Sequence, residues 1–337
     1  MKRLHWLSAA IGGAFIAGLA FSGAMAAEPI VLKFSAPVPS GGGAFTGSIK
    51  PWLEDLEKAS EGTIKFDIYA DGKLAKAGET FNAVEGGVAD VGWGLPLSYG
   101  ARFQELNVVT VPGLFSDGAV ASESMYKLWQ DGLIHGFPDT LIVLAFYSNP
   151  PLAIMTKNAL KSPSDLAGNK IQIAGKLRAQ MVEALGGQPV SLAYAETYSA
   201  MQKGVVDGTY TSFQAANGNK FVELMDYYVK GPFGGGCVGI VINKAVFEKL
   251  PAKAQKAFVD AAEGGKSSRW YSNNAKNAED AIEKGLREDP KKTVVELEGA
   301  DLKAVKDAAA GITEEWAKSF EGGDKVLAKF KEYVAGR

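Results

Sequence analysis

Glu196-Thr197-Tyr198-Ser199-Ala200-Met201-Gln202-Lys203-Gly204-Val205-Val206-Asp207-Gly208, continuing into Thr209 to Ser212, compresses a helix, a turn and a strand into one short run. Glu196 to Lys203 has a helical pattern, and Gly204 and Asp207-Gly208 break it. Thr209 to Ser212 then reads as a strand. Glycine at such a junction permits a positive φ or a close approach of two backbones. A helix returning directly into a strand is the repeating unit of an α/β layer.

The same alternation extends in both directions. Upstream, strands are expected at Ile30–Ser35, Ile64–Tyr69, Ala89–Gly92, Val108–Val111, Leu141–Phe146, Ala153–Met155 and Ile171–Ile173. Helical patterns separate them, including one with Ile49, Trp52, Leu53, Leu56 and Ala59 on a single stripe. Downstream come a helix at Asn217–Met225, a strand at Val238–Ile242 and a helix at Lys244–Leu250. From Pro251 to Arg287 the chain is nearly all helix former, Thr293–Leu297 is one more strand, and two helices follow. The fold class expected is α/β, in two regions with a long helical tail.

The first residues read as a targeting segment. Lys2 and Arg3 open it, Leu7 to Ala20 is apolar and uncharged, and Ala24-Met25-Ala26 offers small residues for a cut before Ala27. Residues 1–26 are therefore expected to be a cleaved signal peptide, which places the mature protein in the periplasm. Without Lys2 and Arg3 the chain has 34 basic against 38 acidic residues, a net charge near −4. That balance favours solubility and argues against nucleic acid as a partner.

Catalytic chemistry is sparsely provided. His135 is the one histidine beyond the signal and Cys237 the one cysteine, so neither a His/Cys metal cluster nor an intramolecular disulfide is expected. No Gly-x-Ser-x-Gly accompanies His135. Gly265-Lys266-Ser267 resembles the end of a phosphate loop, yet Asp260 replaces the first glycine and a helix precedes it. Neither catalytic residues, nor a metal, nor a cofactor is expected.

Three stretches resemble the extracytoplasmic binding subunits of tripartite ATP-independent periplasmic (TRAP) transporters, the DctP-like family. The first joins Ser162-Pro163-Ser164-Asp165-Leu166-Ala167-Gly168-Asn169-Lys170-Ile171 to the Glu196–Gly208 run. The second is Gly72-Lys73-Leu74 with Val84 to Asp90, and the third Val111-Pro112-Gly113-Leu114-Phe115. The resemblance implies the two-lobed periplasmic binding protein fold, with strand hinges, a long helix spanning both lobes, and closure on a ligand. It divides the chain into lobe I (27–148 plus 237–275), lobe II (149–236) and a C-terminal part (276–337) packing back on lobe II. It further implies a small-molecule ligand, membrane permease subunits as partners and no enzymatic activity; a monomer is expected. A ligand sensor for a signalling partner and a hydrolase working through carboxylates remain open as alternatives.

The departures bear on the ligand. After Lys-Ile the family usually carries an arginine whose planar fork takes a ligand carboxylate; here the residue is Gln172. Asn149 to Leu152 lacks the second usual cation, and Thr211 stands where an asparagine is frequent. Either the ligand is not held as a simple carboxylate, or Arg178 or Arg102 supplies the charge. Trp93, Tyr99, Tyr147, Tyr194 and Phe213 fall near the expected cleft, which suits a flat or partly apolar ligand.

Overall fold

The computed structural model describes residues 28–336, so the expected signal peptide lies outside the described residues. The first lobe runs β1 (Ile30–Ser35), α1 (Lys50–Ala59), β2 (Ile64–Tyr69), α2 (Thr80–Glu85), β3 (Val91–Gly94), α3 (Gly118–Gln130) and β4 (Leu141–Tyr147). The second runs β5 (Ala153–Thr156), β6 (Lys170–Ile173), α4 (Lys176–Ala184), β7 (Gln188–Ser191), α5 (Tyr194–Gln202), β8 (Gly208–Thr211), α6 (Phe213–Gly218) and β9 (Tyr227–Lys230). The chain then returns through β10 (Val238–Asn243), α7 (Lys244–Phe247), α8 (Ala252–Ala262) and α9 (Lys266–Glu288). It ends with β11 (Thr293–Glu296), α10 (Gly299–Lys318) and α11 (Gly323–Ala335).

Two mixed sheets result, in the orders β2-β1-β3-β10-β4 and β11-β9-β5-β8-β6-β7. β1 pairs in parallel with β2 and β3, whereas the returning β10 is antiparallel to β3 and β4. The central strands β3, β5 and β8 are buried on both faces, as helical crossovers require. Along β4, Tyr147 faces the core under α1, α8 and α9, while Phe146 faces the one under α2 and α3. In the second sheet Ile171 and Tyr210 lie on the α4 and α10 face, and Met155, Met201 and Phe213 on the α5 side.

The lobes are joined at 148–152, at 231–237 and along α9. Backbone bonds tie the first two crossings to each other and to lobe I: Leu152 N donates to Gly234 O, and Gly235 N to Val109 O, both at 2.8 Å. Helix α9 is fastened to the first crossing, with Ser272 Oγ donating to Ser148 O at 2.8 Å. Phe146 N donates to Ser268 Oγ at 3.1 Å. The two-lobed α/β architecture expected from the sequence is the one observed.

Local assignments differ where periodicity is ambiguous. Val108–Val111, expected as a strand, belongs mostly to a 3₁₀ segment, Pro96–Thr110, with its valines buried. A short apolar run does not distinguish a buried strand from a buried helix. Strand β7 escaped notice because Pro189 interrupts it, and a proline is tolerated there because β7 lies at the sheet edge. The helix expected at Asn217–Met225 is instead α6 followed by a 3₁₀ turn, Phe221–Glu223, with Lys220 left-handed between them. The long helical run from Pro251 breaks between α8 and α9, where Gly264 and Gly265 take φ of 58° and 79°. The last helix does not stay on the second lobe. Val326 and Phe330 of α11 bury themselves with Phe115, Met125 and Tyr126 of lobe I, which removes apolar surface of both partners from water.

Candidate functional site

Strand β3 brings Trp93 to the α9 side of the first sheet, 6.3 Å from the Tyr147 ring. Tyr147 in turn stacks on Tyr271 of α9, with centroids 5.3 Å apart and planes at 12°. From the second lobe, α6 carries Gln214 against lobe I. Its amide lies 3.3 Å from where a side chain on Gly43 of lobe I would begin. Glu279, two turns beyond Tyr271 on the same face of α9, holds α6 in place. Its carboxylate accepts from Phe213 N at 2.6 Å and from Gln214 N at 3.0 Å.

Trp93 Nε1, Gln214 Nε2 and Tyr271 OH are each buried without a hydrogen-bond partner among the described residues. Trp52, beside the same Tyr271, shows the contrast, for its indole nitrogen donates to Ser267 Oγ at 2.9 Å. Buried polar groups are seldom left unpaired, because each costs on the order of 1–3 kcal/mol. Two of these groups, Trp93 Nε1 and Tyr271 OH, belong to the ring cluster, and the third, Gln214 Nε2, lies where α6 meets lobe I.

The other sequence candidates are placed as follows. Gln172 is buried and its amide is engaged inside lobe II. Its oxygen accepts from Thr209 Oγ1 at 2.6 Å, and its nitrogen donates to Leu192 O at 2.8 Å and Ile173 O at 3.2 Å. Tyr194 OH and Thr211 Oγ1 bond each other at 2.9 Å. Phe213 packs against Tyr228 at 5.9 Å. Tyr99 and Arg102 lie with the core on the opposite face of the first sheet from Trp93 and Tyr147. Tyr99 stacks on Phe81, and Arg102 donates to Gly136 O and Asn82 Oδ1 and lies 3.8 Å from Glu85. Arg178 is 6% exposed, stands over the Tyr210 ring at 5.7 Å and reaches Gly235 O at 3.5 Å. Sequence reasoning missed Gln214, Tyr271 and Glu279. The spacing of Tyr271, Ala275 and Glu279 at i, i+4, i+8 was the available sign, since it places a glutamate in the buried stripe of α9.

Burial pushes Glu279 up to about 7, and Asp280 adds to the shift; the amides of Gln214 and Phe213 and the Ser212 hydroxyl oppose it. Burial, and then the nearby Glu279, also raise the Tyr147 phenol. Because Glu279 binds its proton more tightly folded than unfolded, stability is fullest below the unfolded value and falls as pH rises from about 4.5 to about 7. The loss is on the order of 3 kcal/mol. The thermal midpoint should therefore drop more between pH 5 and pH 7.5 in the wild type than in Glu279→Gln. Equal slopes in a pH series of melting curves would rule this out.

Cys237 is buried 3.8 Å from the Met125 sulfur, and burial raises its thiol. Among the described residues no group of three His, Cys, Asp or Glu could hold a metal, and no helix is long and apolar enough to cross a membrane.

Comparison with known proteins bears on the family and the fold. The C4-dicarboxylate-binding periplasmic protein DctP of Rhodobacter capsulatus is 28% identical over 258 residues, 72% of this chain and 74% of that protein. A TRAP solute-binding protein from Rhodoferax ferrireducens, solved with copurified benzoate, superposes with a TM-score of 0.83 at 22% identity, covering 91% of this chain and 98% of that one. A marine metagenome TRAP solute-binding protein specific for aromatic acid ligands, from an unidentified microbe, was solved with metahydroxyphenylacetate. It gives 0.81 at 25% identity and covers 91% and 99%. The profile of the bacterial extracellular solute-binding proteins, family 7, matches residues 38–319. The chain belongs to this DctP family of extracytoplasmic solute-binding proteins.

Proposed function

We propose that this protein captures a small aromatic or partly apolar organic acid between its lobes and delivers it unchanged to the membrane permease subunits of a TRAP transporter. The observation that carries this reading is a set of unpaired buried groups, Trp93 Nε1 and Tyr271 OH in the Trp93–Tyr147–Tyr271 ring cluster and Gln214 Nε2 where α6 meets lobe I. Rings take the flat body of the ligand, and neutral donors take its oxygens. The structural relative at 25% identity is specific for aromatic acids, which supports the same class here. A cleaved signal peptide, a periplasmic location and a monomeric state fit this role.

A thermal-shift panel tests it. Benzoate, 3-hydroxybenzoate and mandelate, set against C4-dicarboxylates, should raise the midpoint by about 5 °C at a hundred-fold excess over Kd. Mass spectrometry should recover the bound acid chemically intact. Stabilisation by dicarboxylates alone, or recovery of a converted product, would overturn the reading.

A further inference from the structure

Helix α4 begins without a cap. Gly175 precedes it with φ of 93°, no side chain accepts from its first turn, and that turn carries no acid. Its leading N–H groups therefore point out of the helix without intrahelical acceptors, at the positive end of the dipole. In front of them lies a cavity of about 350 Å³. The 3₁₀ segment of lobe I lines it with Gln104 and Asn107, α4 with Lys176 and Arg178, and α10 with Trp316.

Arg178 is the unusual member. The other described arginines each approach a carboxylate: Arg102 faces Glu85, Arg269 Glu123 and Arg287 Glu283. Arg178 is the most buried residue of this lining from α4, and no ion pair is found for it among the described residues. Its hydrogen bond to Gly235 O is at the outer limit of length. A guanidinium withdrawn from water without an anion is costly. Glu315 also lines the cavity, but it is engaged by Lys176 at 2.9 Å and by Gln180 at 2.6 Å.

We propose that this cavity is an oxyanion seat, in which Arg178 and the uncapped first turn of α4 hold a carboxylate or a small inorganic oxyanion. Gln104 and Asn107 face the anion from the other lobe, so its binding favours the lobe arrangement seen here. The carboxylate form rests on the cleft reading above; the inorganic form does not.

Calorimetry and melting curves on the mature full-length protein test the seat, with wild type, Arg178→Gln and Arg178→Lys compared. The probes are sodium sulfate against sodium chloride at equal ionic strength, and 3-hydroxybenzoate against its neutral amide. Arg178→Gln should weaken binding of sulfate or of the acid roughly 30-fold. Arg178→Lys should retain part of that affinity, and binding of the amide should not change. Loss confined to the acid identifies the ligand's own carboxylate as the occupant, and loss of sulfate a free oxyanion. Ligand-free Arg178→Gln should melt roughly 2–4 °C higher, since an unpaired buried charge is removed.

The seat is overturned if both anions bind Arg178→Gln as they bind wild type, or if neither binds wild type beyond the chloride control. A ligand-free Arg178→Gln that melts several degrees lower would also overturn it, by showing the guanidinium to be structural. If wild type binds neither the acid nor its amide, the aromatic-acid reading fails, while the sulfate comparison still decides the seat.

Discussion

Replacing Gly208 by alanine is expected to cost about 3 kcal/mol, lowering the melting midpoint by roughly 6–12 °C. A Cβ at this position would sit 2.1 Å from the Met155 carbonyl oxygen and 2.7 Å from Thr156 Cγ2. Both obstacles belong to β5, which pairs with β8 in the register Thr156 opposite Gly208, near the middle of the second sheet. The carbonyl is fixed backbone, so the two strands would have to separate. Gly47→Ala is the control, because nothing lies within 4 Å of its added methyl. If Gly208→Ala unfolded at the same denaturant concentration as Gly47→Ala, the close approach of β5 would not be what requires glycine.

The second large effect is on ligand binding. Trp93→Ala should weaken the aromatic acid by at least about 100-fold, since it removes a ring wall and a buried donor together. Trp93→Phe keeps an aromatic face but loses the indole N–H, and should weaken it about 10-fold. Titration calorimetry on both variants separates the two contributions. Wild-type affinity in Trp93→Phe would remove the indole N–H from the list of contacts and weaken the proposed function with it.

How much of this was legible beforehand follows from the range of the interactions involved. The Glu196–Gly208 run was readable because a helix, a turn and a strand are local choices, set by neighbours a few residues away. Trp93 could be named because it follows the expected Ala89–Gly92 strand, and Tyr147 because it stands at the first crossover between lobes. Gln214, Tyr271 and Glu279 could not. They are joined to the site by contacts across the chain, such as Glu279 to Phe213, 66 residues apart.

Gln172 shows the same limit from the other side. Its neutral side chain signalled a departure from the family motif, but only the fold reveals that Thr209, Leu192 and Ile173 occupy its amide. The two candidate cations, Arg102 and Arg178, were equivalent in sequence. Packing separated them, placing one beside Glu85 and burying the other without an acid.

By itself the sequence determined the alternation of strands and helices and the near absence of catalytic side chains, which follow from composition, period and local turn chemistry; the two-lobed class was implied by the family resemblance. The tertiary structure decided which polar groups are left unpaired and why Gly208 must be glycine. Its φ is not among the positive ones, and its requirement is the 2.1 Å approach of Met155 O. Burial and close contact are properties of segments brought together from distant parts of the chain, and no local pattern records them.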